Sequence, residues 1–451
     1  MADVAEAVLA GLAGIVGESK CTAEASACES FTVDGQTPDC AVYPGSAEEV
    51  AETLKWAAGH DLAVIACGGA TKLGIGNPPR KYDIALCTRD LTNVRYYEPS
   101  DLTAGVGAGV VLADLQTLLK PDGLWLPLDS SGGGKATLGG IVATNTSGPL
   151  RHFYGAPRDM VVGMQIATTE GKLVRTGGRV VKNVAGYDLG KLMIGSCGTL
   201  GVITEVNLKL FPLPAERQTF VLPTGTLGVA RDLRRRILAS PIDLLRMALL
   251  DAEAAAIVRP GSQVDVAARE PEIWLEVGGP QSVVDRTRKE LEAAGGPVGA
   301  TVQTCDRVGS GRAWQAISDF SNWIGKMYQG TVVLKGALPI ANGEEFLRLA
   351  QQEAHGENIK MAGVAMPGVG MLHLGLLDLQ NATEAVSLVR RLRKSAEKSG
   401  GALTVVSAPA EVKAQVDAWG EPGTGLDLMR KLKTAWDPKG ILAPGRFVGS
   451  I

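Results

Sequence analysis

The feature that most constrains this sequence is where its glycines lie. The chain has 57 glycines, and they cluster between residues 67 and 201 in stretches with almost no bulky side chain. Such stretches cannot build an apolar core, because they have little apolar surface to bury. They do allow the backbone to turn tightly and to approach a ligand closely. The sequence therefore predicts that this region encloses a large polar ligand.

Three segments carry this pattern. The first, 67–74, follows a predicted strand, and its successive amide groups can turn inward around an anion such as a pyrophosphate, although a plain loop would explain the same residues. The second, 127–148, is rich in glycine, hydroxyl and amide residues, and the third, 182–203, pairs a polar turn with a glycine-rich approach to a strand. Together they predict a backbone wrapped around a dinucleotide.

A competing pattern lies at 105–109, where Gly-Val-Gly-Ala-Gly stands between a predicted strand and a predicted helix at 112–120. With Asp129 downstream, this is close to the fingerprint of a Rossmann dinucleotide site. However, Pro127 interrupts the strand that should present Asp129, since proline cannot donate to a sheet ladder. A Rossmann site would also leave the other glycine clusters without a purpose, so we favour the first interpretation.

The texture changes after residue 217, where glycine thins out and predicted helices and strands alternate. Such alternation is typical of a compact α/β sandwich, here of ferredoxin-like type. The predicted helices are 48–58, 112–120, 227–239, 282–293, 344–354, 383–398 and 426–436. The predicted strands are 62–66, 83–87, 102–106, 160–168, 172–176, 201–210, 272–277, 331–338, 370–376 and 403–406.

Bulk properties exclude several classes of protein. A chain of 451 residues is long for one core, so two or more domains are expected, and a net charge of -3 gives no footprint for nucleic acid. The seven cysteines include no CxxC pair, so we expect no disulfide framework, iron–sulfur cluster or zinc site. The N-terminus lacks the basic start of a signal peptide, and no apolar run approaches the ~18 residues of a membrane span. We expect a soluble, cytoplasmic protein.

Taken together, these motifs resemble the FAD-binding domain of the vanillyl-alcohol oxidase and p-cresol methylhydroxylase superfamily, in which two α/β lobes clamp an extended FAD. Phrases at 147–151, 155–159, 182–188 and 437–446 are similar to the FAD-binding subunits of bacterial glycolate oxidases. The resemblance implies an α/β (α+β) fold with an N-terminal helical segment (1–32), a two-lobed p-cresol-methylhydroxylase-type FAD-binding domain (33–213), a smaller ferredoxin-like substrate domain (217–410) and a C-terminal segment (411–451) that returns to the flavin.

The same resemblance implies which residues hold FAD. In the superfamily the first segment and the turn at 137–140 hold the pyrophosphate, and the later segments cover the adenine and the isoalloxazine. The expected FAD contacts are Cys67, Gly68, Gly69, Ala70, Thr71, Lys72, Leu73, Pro127, Ala136, Thr137, Leu138, Gly139, Gly140, Thr144, Asn145, Ser147, Gly148, Arg151, Gly155, Asp159, Gly198, Thr199, Gly201, Val202 and Ile203. Relatives with covalent FAD use a histidine in the first loop, which this chain lacks, so we expect non-covalent FAD.

Oxidation of a 2-hydroxy acid by a flavin requires a cation for the substrate carboxylate and a base for the hydroxyl proton. The candidate cations are Arg446, Lys182, Arg151 and Arg312, and Tyr187 is placed to contact the isoalloxazine or to pack beneath it. The candidate bases are His60, His152, His355 and His373, although a packed imidazole is an alternative for His152 and His373.

Two departures from the catalytic relatives bear on activity. Many of those relatives carry glutamate where this chain has Cys197. The related catalytic subunit also has a histidine-rich metal motif in its second domain, where this chain has His373 alone, so no metal is expected.

Three functions remain open. In the first, the chain is an FAD-binding component of a 2-hydroxyacid (glycolate) oxidoreductase, with a second flavoprotein subunit and an iron–sulfur subunit as partners. The chain would then be attached to the inner membrane only through those partners. Alternatively it is a self-sufficient FAD-dependent dehydrogenase or oxidase, or a non-catalytic assembly subunit.

Overall fold

The computed structural model of the chain describes residues 2–132, 134–179, 187–260, 262, 264 and 269–451. They form a first lobe around a mostly parallel sheet, a second lobe around an antiparallel sheet, one large antiparallel sheet and a C-terminal segment. The α/β class expected from the sequence is confirmed. Within these ranges no helix is both long enough and apolar enough to cross a membrane.

The first lobe has a four-stranded sheet in the order β1-β2-β4-β3, in which β2, β4 and β3 run parallel. Its elements are α1 (Ala2–Val16), β1 (Cys21–Thr22), α2 (Ala25–Glu29), β2 (Cys40–Val42), α3 (Ala47–Gly59), β3 (Val64–Cys67) and β4 (Ile84–Cys87). Helix α3 starts where the Ser46 side chain accepts a hydrogen bond from the Glu49 amide, which satisfies an otherwise free donor. Its apolar residues Val50, Leu54 and Ala57 recur at helical spacing and are buried. Strand β3 therefore ends, and the first glycine loop begins, at a fixed edge of this lobe.

The second lobe has a five-stranded antiparallel sheet in the order β5-β6-β10-β8-β9. Its elements are β5 (Val94–Glu98), β6 (Thr103–Gly107), α4 (Leu112–Leu119), β7 (Leu124–Trp125), α5 (Leu138–Ala143), α6 (Arg151–Tyr154), α7 (Pro157–Met160), β8 (Val161–Ala167), β9 (Leu173–Gly177), α8 (Leu189–Met193), β10 (Val202–Lys209) and β11 (Phe211–Pro212). The start of α5 and the start of β10 bring the second and third glycine-rich segments toward the first lobe.

The third unit is an eight-stranded antiparallel sheet in the order β15-β12-β14-β13-β17-β18-β16-β19. Its elements are β12 (Glu216–Pro223), α9 (Leu227–Leu238), β13 (Leu244–Leu250), α10 (Ala252–Val258), β14 (Glu272–Gly279), α11 (Gln281–Gly295), β15 (Gln303–Cys305), α12 (Arg307–Ser318), α13 (Phe320–Met327), β16 (Val332–Ala337), α14 (Gly343–Gly356), β17 (Lys360–Met366), β18 (Met371–Leu377), α15 (Ala382–Lys398) and β19 (Ala402–Ser407).

This sheet consists of two ferredoxin-like halves. Strands β12 to β15 form one β-α-β-β-α-β unit and β16 to β19 form the other, and the two second strands, β13 and β17, pair edge to edge. The sequence predicted the ferredoxin-like character but not the duplication.

The C-terminal segment contains α16 (Ala410–Lys413) and α17 (Leu426–Trp436) and then returns to the first lobe. The Val64 amide donates to the Ile441 carbonyl at 2.8 Å, and the Ala443 amide donates to the Val64 carbonyl at 2.9 Å. The tail thus lies alongside β3, next to the first glycine loop.

Candidate functional site

Two adjoining cavities lie where the glycine-rich segments meet. The glycine-loop cavity, of about 100 Å³, lies between the two lobes, and the sheet cavity, of about 520 Å³, lies between the lobes and the eight-stranded sheet. The two cavities share five lining residues, so they lie directly against each other: Thr71, Lys72, Ile75, Thr144 and Cys197. Together they offer adjacent space for an extended ligand.

Most of the residues predicted to hold a cofactor line these cavities. In the glycine-loop cavity these are Cys67, Gly68, Gly69, Ala70, Thr71, Lys72, Leu73, Thr137, Gly139, Gly140, Thr144, Gly198, Gly201, Val202 and Ile203. In the sheet cavity they also include Asn145, Ser147 and Arg151.

The other predicted contacts lie outside both cavities: Pro127, Ala136, Leu138, Gly148, Gly155, Asp159 and Thr199. Some of them stabilise turns instead. The Asp129 carboxylate accepts hydrogen bonds at 2.9 Å from the amides of Gly148 and Leu150, and Asp159 accepts one at 2.8 Å from the Ala156 amide. Polar and glycine-rich composition marks such structural turns as readily as it marks ligand contacts.

The first glycine loop has no space for side chains at two positions. A Cβ atom at Gly68 would lie 2.0 Å from Thr137 Oγ1, and one at Gly69 would lie 1.8 Å from the Lys135 carbonyl oxygen. The glycines of the Rossmann-like pattern are also constrained, but by packing: a Cβ at Gly107 would lie 2.1 Å from the Leu91 carbonyl oxygen, and 105–109 does not line the cavity. The structure thus supports the choice of the first glycine loop over the Rossmann pattern.

Four buried polar atoms around the cavities have no hydrogen-bond partner among the described residues. They are Thr137 Oγ1, Asn145 Oδ1, Ser147 Oγ and one terminal nitrogen of Arg446. Buried polar groups are nearly always paired, so a row of unpaired ones indicates a polar ligand. Oxygen acceptors, hydroxyls and a guanidinium beside a glycine-rich backbone fit a flavin dinucleotide. The first loop contains Thr71 and Lys72 but no histidine to which FAD could be covalently attached.

The sheet cavity is strongly cationic. Lys72, Arg151, Lys326 and Lys335 line it, and no aspartate or glutamate does so in the part of the chain that the structure describes. Burial lowers the pKa of Lys72 to about 8, against the opposing attraction of Asp319. Burial, reinforced by Arg151, also lowers the pKa of Lys335. An anion in this cavity would relieve the mutual repulsion of these cations.

A row of side chains on the eight-stranded sheet lines this cavity. In the strand register Lys335 on β16 pairs with Thr404 on β19 and with His373 on β18. The Ser321 hydroxyl lies 2.9 Å from His373 Nδ1. Burial, with the charges of Lys335 and Lys72, lowers the pKa of His373 to about 3. The imidazole is therefore neutral at pH 7, and an anion bound beside Lys335 and Lys72 would raise its pKa and make it a better base.

Sequence reasoning did not single out Lys335, Ser321 or Lys326. A signal was present for Lys335, because it is the one charged residue in the otherwise apolar stretch 332–337. His373 interrupts the apolar stretch 371–377 in the same way. A polar residue in a buried strand is an informative observation, since such groups are costly to bury without a role.

Of the three residues predicted to be catalytic, one lines a cavity. Arg446 lines the glycine-loop cavity, where its second terminal nitrogen donates to the carbonyls of Leu73 and Ile75. Tyr187 is 95% exposed and lines neither cavity, and Lys182 lies outside the described residues.

The remaining candidates also lie away from the cavities. Arg312, His60 and His355 are exposed, and His152 is half-buried outside both cavities.

Two lobes that enclose a glycine-lined cavity, with a sheet covering its far end, define a protein that binds an extended dinucleotide. A family described as "FAD binding domain" matches residues 38–177, and one described as "FAD linked oxidases, C-terminal domain" matches residues 213–447. The chain belongs to the FAD-linked oxidases. It is an FAD-dependent oxidoreductase, as the sequence predicted.

Several characterised relatives align over nearly the whole chain. Glycolate oxidase subunit GlcD of Bacillus subtilis is 27% identical over 91% of this chain and 89% of its own length. D-lactate dehydrogenase of Archaeoglobus fulgidus is 28% identical over 94% and 92%, and D-2-hydroxyglutarate dehydrogenase of Stutzerimonas stutzeri is 24% identical over 91% and 91%.

Solved structures show the same fold. Substrate-bound p-cresol methylhydroxylase superposes with a TM-score of 0.76 at 17% identity, covering 98% of this chain and 96% of its own. The 4-ethylphenol oxidase of Gulosibacter chungangensis gives 0.76 at 16% identity, covering 99% and 97%. The expected superfamily fold is confirmed.

Proposed function

We propose that this chain oxidises a 2-hydroxy acid such as glycolate, with FAD held non-covalently across the two cavities. The observation that carries the proposal is the cationic sheet cavity, which is suited to a substrate carboxylate. When bound, FAD supplies the hydride acceptor. Two residues would contact the flavin dinucleotide: Arg446, through one terminal nitrogen, and Thr137, through its hydroxyl. Each of these atoms is buried without a hydrogen-bond partner among the described residues, and both residues line the glycine-loop cavity.

The residues of the sheet cavity would handle the substrate. Lys335 and Arg151 bind the carboxylate, which places the adjacent hydroxyl near His373. His373 is neutral and takes the hydroxyl proton as the carbon–hydrogen bond breaks, while Ser321 holds the ring in position through its contact with Nδ1. The names of the aligned relatives support this substrate class, since glycolate, D-lactate and D-2-hydroxyglutarate are all 2-hydroxy acids.

We also propose that the chain works as a subunit, with a second flavoprotein and an iron–sulfur protein as partners. The Bacillus relative is named as a subunit, which supports this arrangement. The second candidate, a self-sufficient dehydrogenase, is favoured by the complete set of substrate-handling groups in this one chain and by relatives named D-lactate dehydrogenase. Localisation in the cytoplasm belongs to the same proposal.

A single experiment separates these functions. The chain is purified alone, loaded with FAD and mixed anaerobically with glycolate or D-lactate while its visible spectrum is recorded. Bleaching of the flavin by the isolated chain supports the self-sufficient enzyme, and bleaching only after partner chains are added supports the subunit. If the chain holds FAD but the flavin is bleached neither in the isolated chain nor with partner chains present, the chain is an assembly subunit and the proposed activity is wrong.

Replacing Lys335 with methionine should weaken substrate binding without releasing FAD. Loss of a charged hydrogen-bond donor is expected to raise KM for the hydroxy acid about 10- to 100-fold. Lys360→Met is the matched control, because Lys360 lies on strand β17 of the same sheet, pairs with Glu253 and is 42% exposed. Steady-state kinetics and the flavin absorbance check both variants. An unchanged KM in Lys335→Met would remove Lys335 from the substrate site.

The same substitution should shift the pH dependence in a defined direction. His373 must be neutral to accept a proton, so activity is lost as the pH falls through its pKa, which lies at about 3. Lys335 is one of the cations that lower this pKa, so Lys335→Met should raise it and move the acid limb of kcat/KM to higher pH. The profile is measured in parallel for both proteins; an acid limb that moves to lower pH contradicts the assignment of His373 as the base.

A further inference from the structure

The end of the first glycine-rich segment and the two residues after it, 73–76, are held by two buried cations from the C-terminal part of the chain. In 73–76 the carbonyl oxygens are taken alternately: those of Gly74 and Gly76 by Lys413, and those of Leu73 and Ile75 by Arg446. Lys413 and Arg446 together thus bind all four carbonyl oxygens of 73–76. The segment lies directly after Lys72, so its path determines where the glycine loop ends.

Lys413 is almost completely enclosed by its partners. Its Nζ lies 2.6 Å from the Gly74 carbonyl oxygen, 3.1 Å from that of Gly76 and 2.9 Å from Asp34 Oδ1. The exposed fraction of its side chain is 1%. Lys413 thus joins three parts of the chain that are distant in sequence: the N-terminal region, the glycine-loop segment and the C-terminal segment.

The segment has a third attachment to the C-terminal part of the chain. The Asn77 amide donates to the Arg446 carbonyl at 3.0 Å, and the Asn77 side chain donates to Asp417 at 2.7 Å and accepts from the Ala418 amide at 2.6 Å. At Gly76 the backbone φ is 95°, and a Cβ would lie 2.4 Å from the Arg446 carbonyl oxygen. These contacts together fix the position of the backbone at 73–77.

A buried ion pair of this kind contributes little net stability, because desolvation of the two charges offsets their attraction: replacing both partners by apolar residues is often neutral, whereas removing one partner is destabilising because the other charge stays buried. Its effect is better sought in geometry. The carbonyls that Lys413 and Arg446 hold belong to the segment adjoining Lys72 and Thr71, which line both cavities. Because each of these carbonyls accepts a hydrogen bond from a cation, its negative end is compensated beside the cavity.

We propose that Lys413 is a positioning residue for FAD, which fixes the path of 73–76 so that the glycine loop is preformed for the cofactor. The proposal rests on FAD occupying the glycine-loop cavity and is independent of the identity of the substrate. It gives Lys413 no contact with FAD, since Lys413 lines neither cavity.

The test uses the full chain with the substitution Lys413→Met. After removal of FAD, titration with FAD followed by flavin fluorescence is expected to show a Kd raised about tenfold or more. Lys439→Met is the matched control: Lys439 also joins the C-terminal segment to the first lobe, through Asp61 at 3.0 Å, but the pair is exposed and touches no glycine loop. Lys413→Arg, which restores the charge, should recover part of the affinity.

A second measurement separates positioning from general stability. In the FAD-free protein, hydrogen exchange of the amides at 73–77 should accelerate more in Lys413→Met than that of the other amides of the first lobe, and should not accelerate in Lys439→Met. The midpoint of thermal unfolding is expected to fall in Lys413→Met, because Asp34 is left buried without its partner. Equal acceleration throughout the first lobe, or an unchanged Kd for FAD, would overturn the proposal.

If Lys413→Met does not fold, Asp34→Asn offers a milder change, expected to raise the Kd in the same direction by a smaller factor. An unchanged Kd in that variant would overturn the proposal as well. Neither readout needs substrate, so a failure of the proposed 2-hydroxyacid oxidation would leave this result interpretable. A parent chain that binds no FAD would instead remove the placement on which both proposals rest.

Discussion

Replacing Gly69 with alanine is expected to abolish tight FAD binding while leaving the chain folded. The added Cβ would lie 1.8 Å from the carbonyl oxygen of Lys135, a backbone atom that cannot rotate away as a side chain can. The first glycine loop would have to move by an ångström or more, and a displacement of that size typically costs about 100-fold in a process that depends on exact placement. The measurements are the FAD content after purification and the Kd by fluorescence titration.

The control for this prediction is Gly59→Ala. Gly59 lies at the end of α3 in the same lobe, and a Cβ there has no atom within 4 Å. This variant should bind FAD as the parent does and unfold at a similar or slightly higher temperature, because alanine favours the helix. A Gly69→Ala protein that retained the parent affinity would show that the first loop does not hold the cofactor.

Replacing His373 with glutamine is expected to remove most of the activity and none of the FAD. Glutamine can still hydrogen-bond to Ser321, but it cannot accept the hydroxyl proton at neutral pH, and loss of a general base typically lowers the rate about 10²- to 10⁴-fold. The rate of flavin bleaching after anaerobic mixing with substrate measures this step directly. The visible spectrum of the oxidised enzyme should stay the same.

Two companion variants sharpen the result. His355→Gln changes an exposed histidine that lines neither cavity and should leave the rate unaltered. Ser321→Ala should lower the rate by a smaller factor, because the ring remains but loses the partner that holds Nδ1. If His373→Gln reduced the flavin as fast as the parent, the histidine would be a packing residue, the alternative that the sequence left open.

Local sequence patterns predicted the flavin lobes well, because the features involved are local. Helix α3 and strand β10 follow apolar spacing within one window, and the glycine loop is contiguous in the chain. The strands β13 (Leu244–Leu250) and β17 (Lys360–Met366) were missed, since they consist mainly of leucine, methionine and alanine, which favour helices, and burial on both faces removes the alternation of a strand. With these two strands the duplication in the sheet was hidden too.

The substrate side of the site could not be predicted to the same extent. Lys335, His373 and Thr404 meet only because three strands pair in one register, and no short window contains any two of them. Arg446 was predicted from the family resemblance, and its position confirms only that the tail reaches the glycine-loop cavity. Asp159 lines neither cavity and its carboxylate accepts from the Ala156 amide; a capping carboxylate and a ligand contact have the same local sequence context, so sequence alone does not separate them.

The two halves of the eight-stranded sheet contribute unequally to the sheet cavity. Apart from the C-terminal segment, the part of the sheet cavity that the lobes do not line comes from β16 to β19 and the helices before them, and none of it comes from β12 to β15 among the residues described. The first half instead packs β13 against α6 of the second lobe. Two of the four cations of the cavity, Lys326 and Lys335, therefore belong to the second half and its preceding helix, where they can be exchanged without altering the half that packs against the flavin lobes.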